Sequence, residues 1–197
     1  MNHVMIDLEV LGKNKNAPVA SIGAVFFEPK TGGLGEKFYC RVDFENDMKN
    51  GAIPDGDTIK WWLKQASEAR AELVSDDAIH LWDAVNKFSD WLTDNADDLS
   101  KVKVWANSPS FDCVILSAAF ERAETDIPWN YWNERDVRTI KSIGLSIMDM
   151  GCFLGTTEII GIKHNALDDA INQAQMVSAV WQKIHSAIHV LDVGGVQ

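Results

Sequence analysis

Basic side chains are scarce in this 197-residue sequence: 18 Lys and Arg stand against 29 Asp and Glu, a formal net charge of −11. Strong nonspecific binding to duplex nucleic acid depends on neutralising phosphates with Lys and Arg, so it is excluded as a general property of this surface. Nucleic-acid chemistry stays open only where metal ions and a few local cations hold the phosphates. Cysteine is scarcer still. Cys40, Cys113 and Cys152 are odd in number, widely spaced and set in apolar runs, which fits reduced core thiols rather than a disulfide framework or a zinc site. Long hydrophobic runs are missing as well. No stretch approaches the length that spans a bilayer, and no basic segment with an apolar h-region and cleavage site precedes the first strand pattern, so a cytoplasmic protein without a membrane partner is expected. Internal repeats, low-complexity tracts and interdomain linkers are also absent.

What remains is an ordinary globular composition, 46% hydrophobic and 24% charged. That length and composition suit one domain with a sizeable core. The domain is expected over residues 1–190, with a frayed tail over 191–197. The most informative stretch is Ile6-Asp7-Leu8-Glu9, at the end of the apolar run His3-Val4-Met5-Ile6. In a strand, residues i and i+2 face the same way, so Asp7 and Glu9 present two carboxylates side by side. Like charges that close repel unless something positive sits between them, and hard oxygen ligands on a rigid strand suit Mg²⁺ or Mn²⁺. The plainer alternative is that Asp7 ends the strand and Glu9 lies in solvent.

Gly12 to Pro18 reads as a loop that sets Lys13 and Lys15 beside these carboxylates, and Val19–Phe27 and Glu36–Phe44 read as two further strands of an antiparallel meander. The Asn, Gly, Pro and Asp content of 46–56 predicts a loop, after which Asp57-Thr58 starts a helix through Trp61-Trp62-Leu63. Another helical turn or two is expected over Ser67–Leu73. Asp76-Asp77 signals an N-cap for a long amphipathic helix carrying Ile79, Leu81, Trp82, Val85, Phe88, Trp91 and Leu92. Val102–Ala106 has the character of a short buried strand. Beyond it Ser108 and Pro109 open a helix with Asp112 in its first turn and Val114, Ile115, Ala118 and Ala119 facing inward. Asp136 can cap a helix through Ile143, Gly144, Gly151, Gly155 and Gly161 break the chain, and Asn165 caps a final helix over 166–185 with Asp168 as a capping-box-like partner. A meander followed by alternating helices and strands gives an α/β sheet of mixed direction covered by helices.

Three stretches taken together carry a resemblance: Asp7-Leu8-Glu9, Asn107-Ser108-Pro109-Ser110-Phe111-Asp112, and His164-Asn165-Ala166-Leu167-Asp168-Asp169. In order, separation and expected context they resemble the DnaQ-like superfamily of 3′-to-5′ exonucleases, and the histidine five residues before Asp169 points to its DEDDh branch. Asp57-Thr58-Ile59-Lys60-Trp61-Trp62 and Asp136-Val137-Arg138-Thr139 look like the subgroup related to the mycobacterial-type 3′-to-5′ exoribonuclease domain and the exonuclease A of T-even phages. The resemblance implies a ribonuclease-H-like fold over nearly the whole chain. It makes Asp7, Glu9, Asp112 and Asp169 the ligands of two Mg²⁺ or Mn²⁺ ions, and His164 the group that accepts a proton from the attacking water. It also implies substrate contacts around Val10, Leu11, Asn107, Ser108 and Phe111, and a single-stranded or 3′-overhanging RNA or DNA partner. Related small exonucleases are often dimers, so a homodimer joins the expectations. Val10 departs from the family, which usually has Thr there, and any hydroxyl contact from that position is lost.

Singly, Asp112 and Asp169 also read as first-turn acids favoured by the helix dipole, and Asp168 and Asp136 as caps. Trp61 and Trp62 point about 100° apart on a helix, so both can hardly stack one base, and one of them is expected in the core. His185 and His189 form a candidate metal edge with no third ligand nearby. Arg135, Arg138, Lys141 and Lys163 are candidate phosphate contacts. A catalytically silent nucleic-acid-binding or assembly module on the same fold is the competing reading, and loss of a motif carboxylate would favour it. None is lost.

Overall fold

The computed structural model describes residues 1–146 and 161–194, with side chains to residue 186. Its centre is a five-stranded sheet in the order β3-β2-β1-β4-β5. β1 (His3–Val10), β2 (Val19–Glu28) and β3 (Gly33–Arg41) form the antiparallel meander, and β4 (Lys103–Ala106) and β5 (Glu134–Asp136) add to it in parallel with β1. Parallel strands need a crossover between them, and helices supply it. α4 (Leu81–Asn95) leads from the meander to β4, and α5 (Asp112–Arg122) leads from β4 to β5. Both cover one face of the sheet, where Val4, Ile6 and Leu8 of β1 meet Phe88 of α4 and Leu116 and Phe120 of α5. The opposite face, with Met5, Val25 and Phe27, is covered by α6 (Val137–Ser146) and α7 (Ala166–Gly194).

Three short helices, α1 (Phe44–Lys49), α2 (Gly56–Trp62) and α3 (Ser67–Glu72), fill the connection between β3 and α4. Leu11, Trp62 and Ala69 form a small core of their own among them. α1 replaces part of the loop expected over 46–56. The Asn-rich composition concealed it because its stability comes from tertiary contacts: Asp43 accepts the Asn46 N–H at 3.0 Å as its cap, and Asp47 is fully buried. The Asp47 carboxylate accepts the Val19 N–H at 3.0 Å and is held by Arg122 Nε at 2.8 Å. One ion pair thus ties α1, the start of β2 and the end of α5 together.

Other expectations shift for local reasons. The third strand ends at Arg41, and Val42 forms a parallel bridge with Ile79. Ile79 is therefore extended and α4 begins at Leu81, while Asp77, expected as part of a cap, pairs with Arg41 at 2.7 Å. Trp82, expected on the apolar face of α4, is exposed. On α5 the inward face is Cys113, Ile115, Leu116, Ala118, Ala119 and Phe120, and of the residues expected inward only Val114 is exposed. Gly144 does not break the chain, since one glycine costs a helix only about 1 kcal/mol and α6 runs through it. α7 continues past His185 to Gly194, so residues 191–194 are helical where a tail was expected; no Gly or Pro intervenes to end it. Gly151, Gly155, Cys152 and residues 195–197 lie outside the described residues, as does the side chain of His189. Cys40 and Cys113 are free thiols, as expected. Among the described residues no helix is long and apolar enough to cross a membrane.

Removing one partner of a buried ion pair strands the other charge. Arg122→Ala is therefore expected to cost about 3–5 kcal/mol in urea unfolding at neutral pH. A loss under about 1 kcal/mol, the scale of an exposed pair, would show that the Asp47–Arg122 bond does not hold this corner.

Candidate active site

The strand period decides where the first two acids go. Val4, Ile6 and Leu8 turn toward α4 and α5, so Met5, Asp7 and Glu9 turn toward α7. Met5 is buried in the apolar core on that side, and Asp7 and Glu9 follow where the sheet ends. A register shift lies between Glu9, opposite Ser21, and Val10, opposite Val19. Such bulges bend a strand and re-aim its side chains.

Opposite Asp7 on β2 stands Gly23. A Cβ there would lie 2.2 Å from the carbonyl carbon of Ala166 and 2.3 Å from the Leu167 nitrogen, so the first turn of α7 rests directly on bare strand backbone. Only glycine permits that approach. The loop entering α7 is held by its own side chains. Asn165 caps the helix as expected, its Oδ1 accepting the N–H groups of Leu167 and Asp168 at 3.1 and 3.2 Å. Asp168 departs from the capping box and accepts the Ile162 N–H at 2.7 Å, closing the loop beneath Gly161. His164 is left-handed, φ 66°, and donates its backbone N–H to Asp169 Oδ2 at 3.1 Å. A non-glycine residue held there carries about 1–3 kcal/mol of strain, which the surrounding bonds must offset.

Asp112 arrives from the other side of the sheet as the first residue of α5, and it is only 5% exposed. The backbone N–H of Leu8 on β1 favours its carboxylate from close by. Gln173 completes the cluster by donating Nε2 to Asp7 Oδ1 at 2.8 Å. The motif reading passed over Gln173, yet it lies one helical turn beyond Asp169 and so shares its face.

Glu9, His164 and Asp169 each bring a ligand atom within 4.8 Å of the others. Asp7 and Asp112 adjoin this group through mutual charge. Burial raises all four acids, and like charge adds to it at Asp7, Glu9 and Asp169. Burial, followed by Asp112, Glu9 and Asp169, holds Asp7 well above the usual carboxylate range. Glu9 is pushed up to about 8 by burial and then by Asp169 and Asp112. Burial raises Asp112 to about 7 against its backbone hydrogen bonds and Arg138, and burial raises Asp169 too. His164 moves the other way, its pKa lowered by burial. A site of hard oxygen donors whose ionised forms repel one another, joined by an imidazole, suits a small divalent cation.

Glu9 also separates two cavities. One, of about 400 Å³, contains Asp7, Asn107, Lys141, His164 and Asp169. The other, of about 490 Å³, is walled by Val10, Thr58, Trp61, Trp62 and Phe111, with Lys13 at its side. Of the expected substrate contacts, Val10 and Phe111 thus line the second cavity and Asn107 the first. Leu11 instead packs with Trp62 and Ala69 in the small core, and Ser108 turns its hydroxyl to Ser110 at 2.9 Å. Of the paired tryptophans, Trp62 is buried and donates Nε1 to the Val10 carbonyl at 3.0 Å, while Trp61 is 42% exposed. Arg138 donates Nε to the Asn107 carbonyl at 3.0 Å, and Arg135 bonds to the Trp132 and Glu134 carbonyls.

Residues 2–181 match the family described as the 3′-5′ exoribonuclease Rv2179c-like domain. An exodeoxyribonuclease of Enterobacteria phage T4 is 26% identical over 196 residues, spanning 88% of this chain and 86% of the relative. Among solved structures, the nuclease domain of 3′hExo, a DEDDh family member bound to rAMP, superposes with a TM-score of 0.62 at 15% identity, over 91% of each chain. Exonuclease I of E. coli, in complex with a dT13 oligonucleotide, gives 0.65 at 16% identity over 96% of this chain and 43% of its own. These likenesses identify the mixed sheet as the ribonuclease-H-like exonuclease fold.

The raised acids make stability depend on pH with a definite sign. Glu9 and Asp112 bind protons in the native state up to about 8 and 7, whereas the unfolded chain has released them above its ordinary values of 4.5 and 3.8. Native protons outnumber unfolded ones in that window, so unfolding free energy falls as pH rises. His164 contributes the opposite slope, confined below its ordinary 6.5. Melting temperatures in EDTA are expected to drop between about pH 5 and pH 9, and Mn²⁺ to restore them most at the alkaline end, where the ligands are ionised. A rising profile in EDTA would contradict the repulsive cluster.

Proposed function

The chain belongs to the 3′-5′ exoribonuclease Rv2179c-like domain family within the DnaQ-like DEDDh superfamily and is a nuclease, and from that premise we propose that it removes mononucleotides from the 3′ end of single-stranded or 3′-overhanging RNA or DNA by a two-metal mechanism. The position of Glu9 carries this reading. It stands between an aromatic-walled cavity suited to one terminal nucleoside and a polar cavity holding Asp7, Asp169 and His164. Asp7, Glu9, Asp112 and Asp169 would hold two ions, Mg²⁺ or Mn²⁺, which supply a nucleophilic water near neutral pH and stabilise the leaving 3′-oxygen.

The chain's own groups do the rest. His164, whose pKa burial lowers, is neutral near pH 7 and able to accept the proton of the attacking water. Gln173 steadies Asp7 through the 2.8 Å bond to Oδ1. Val10, Trp61 and Phe111 receive the terminal nucleoside, and Lys13 and Lys141 meet its phosphates. A chain at −11 has no general attraction for a long polyanion, so recognition concentrates on the end of the strand. The family description names RNA and the phage T4 relative DNA, and both are substrates to be compared.

End-labelled RNA and DNA oligomers with Mg²⁺, Mn²⁺ or EDTA test the reading. Digestion is expected from the 3′ end only, blocked by a 3′-phosphate but not by a 5′-phosphate. Circular single strands cut as fast as linear ones would turn the site into an endonuclease. His164→Ala is expected to slow turnover by about 10² to 10⁴ while Mn²⁺ still raises the melting temperature. Asp7→Ala and Asp112→Ala are expected to lose both activity and the Mn²⁺ shift. Loss of that shift in His164→Ala would make the imidazole a metal ligand rather than the base.

A further inference from the structure

His164 is held in an unusual way for a proton acceptor. Among the described residues no hydrogen bond orients its imidazole; the Asp169 contact is made by its backbone N–H. Its ring is instead packed edge-on against Trp61, with centroids 4.9 Å apart at 80°, and more distantly against Trp62 at 6.1 Å. Trp62 is the fixed member, buried and bonded through Nε1 to the Val10 carbonyl. Trp61 leans on it at 5.0 Å and 78°. The same Trp61 forms part of the wall of the 490 Å³ cavity that contains Val10 and Phe111. It has the imidazole on one side and the cavity on another.

We infer that Trp61 is a positioning residue that couples occupation of the base cavity to the orientation of His164, so that hydrolysis is fast only when the terminal nucleotide carries a base. This rests on the exonuclease reading above. An exposed indole that no hydrogen bond among the described residues fixes is free to change rotamer. A nucleobase seated in the cavity packs against it and restricts that freedom, since aromatic stacking favours one ring arrangement. The imidazole, which depends on the indole for its own placement, is then presented to the water. The effect belongs to the rate at saturation, because misplacing a catalytic group by about 1 Å costs on the order of 10²-fold.

The test compares two Mg²⁺-dependent single-turnover rates at saturating enzyme, on oligomers ending in a normal 3′ nucleotide or in a 3′-terminal abasic residue. Wild type is expected to cleave the abasic end at least about tenfold more slowly at saturation, and Trp61→Ala to cleave both ends at one reduced rate, down about 10²-fold on the normal end. Trp61→Phe, which keeps a ring against His164, should recover most of the rate and the discrimination. The Mn²⁺ shift in melting temperature should be unchanged in both variants, which separates ring placement from damage to the acids. Equal saturating rates on the two ends by wild type would overturn the coupling while leaving the exonuclease intact, and this arm needs no variant to fold. No cleavage of the normal end would instead overturn the exonuclease reading, and with it the coupling.

Discussion

The seating of α7 on Gly23 is the contact through which the rest of the site is assembled. Asp169 and His164 reach Asp7 and Glu9 because the Ala166–Leu167 peptide lies where any β2 side chain would otherwise project. Asp7 is the direct strand partner of Gly23, so the missing Cβ and the acid are fixed by the same register. Ala170, Ala174 and Val177 then continue the small-residue contact of the helix with the sheet. A long helix packed over several turns spreads the cost of its strained entry, the left-handed His164, over a large buried area.

That packing works against electrostatics. Asp7, Glu9, Asp112 and Asp169 are gathered where burial and mutual repulsion favour their protonated forms, and the apolar cores on both faces must outweigh the penalty. The arrangement suits a site whose charge is completed by a ligand: the protein holds the acids in place, and a cation bound there would relieve them. On the exonuclease reading proposed above, it also accounts for an acidic chain acting on a polyanion. The attraction would be confined to the site instead of being spread over the surface.

A second line of contacts runs along the aromatic-walled cavity. Val10, just past the bulge, uses its carbonyl to hold Trp62, Trp62 supports Trp61, and Trp61 supports His164. The position at which the family's usual Thr is replaced thus serves through its backbone as an anchor for the aromatic wall. Asp47 and Arg122 secure the neighbouring corner, so the loop after Glu9 is tied down between two rigid helices.

The sequence by itself determined the class of fold and singled out Asp7, Glu9, Asp112 and Asp169 as the candidate acids. Alternation in β1, the Asn165 cap and Asp112 in the first turn of its helix are local patterns with periods of 2 and 3.6, and local patterns survive without knowledge of what packs on them. It did not determine α1, whose stability lies in the Asp47–Arg122 pair across 75 residues, nor the true start of α4, where a bridge to Val42 overrode the acidic cap signal. Gln173, the role of Gly23 and the division of labour between Trp61 and Trp62 were decided only by the tertiary structure. Each depends on an atom from another element at one place in space: Asp7 Oδ1 for Gln173, the Ala166 carbonyl for Gly23, the Val10 carbonyl for Trp62. Long-range contacts leave no periodic trace in the chain, and it is they that turn a set of acids into a site.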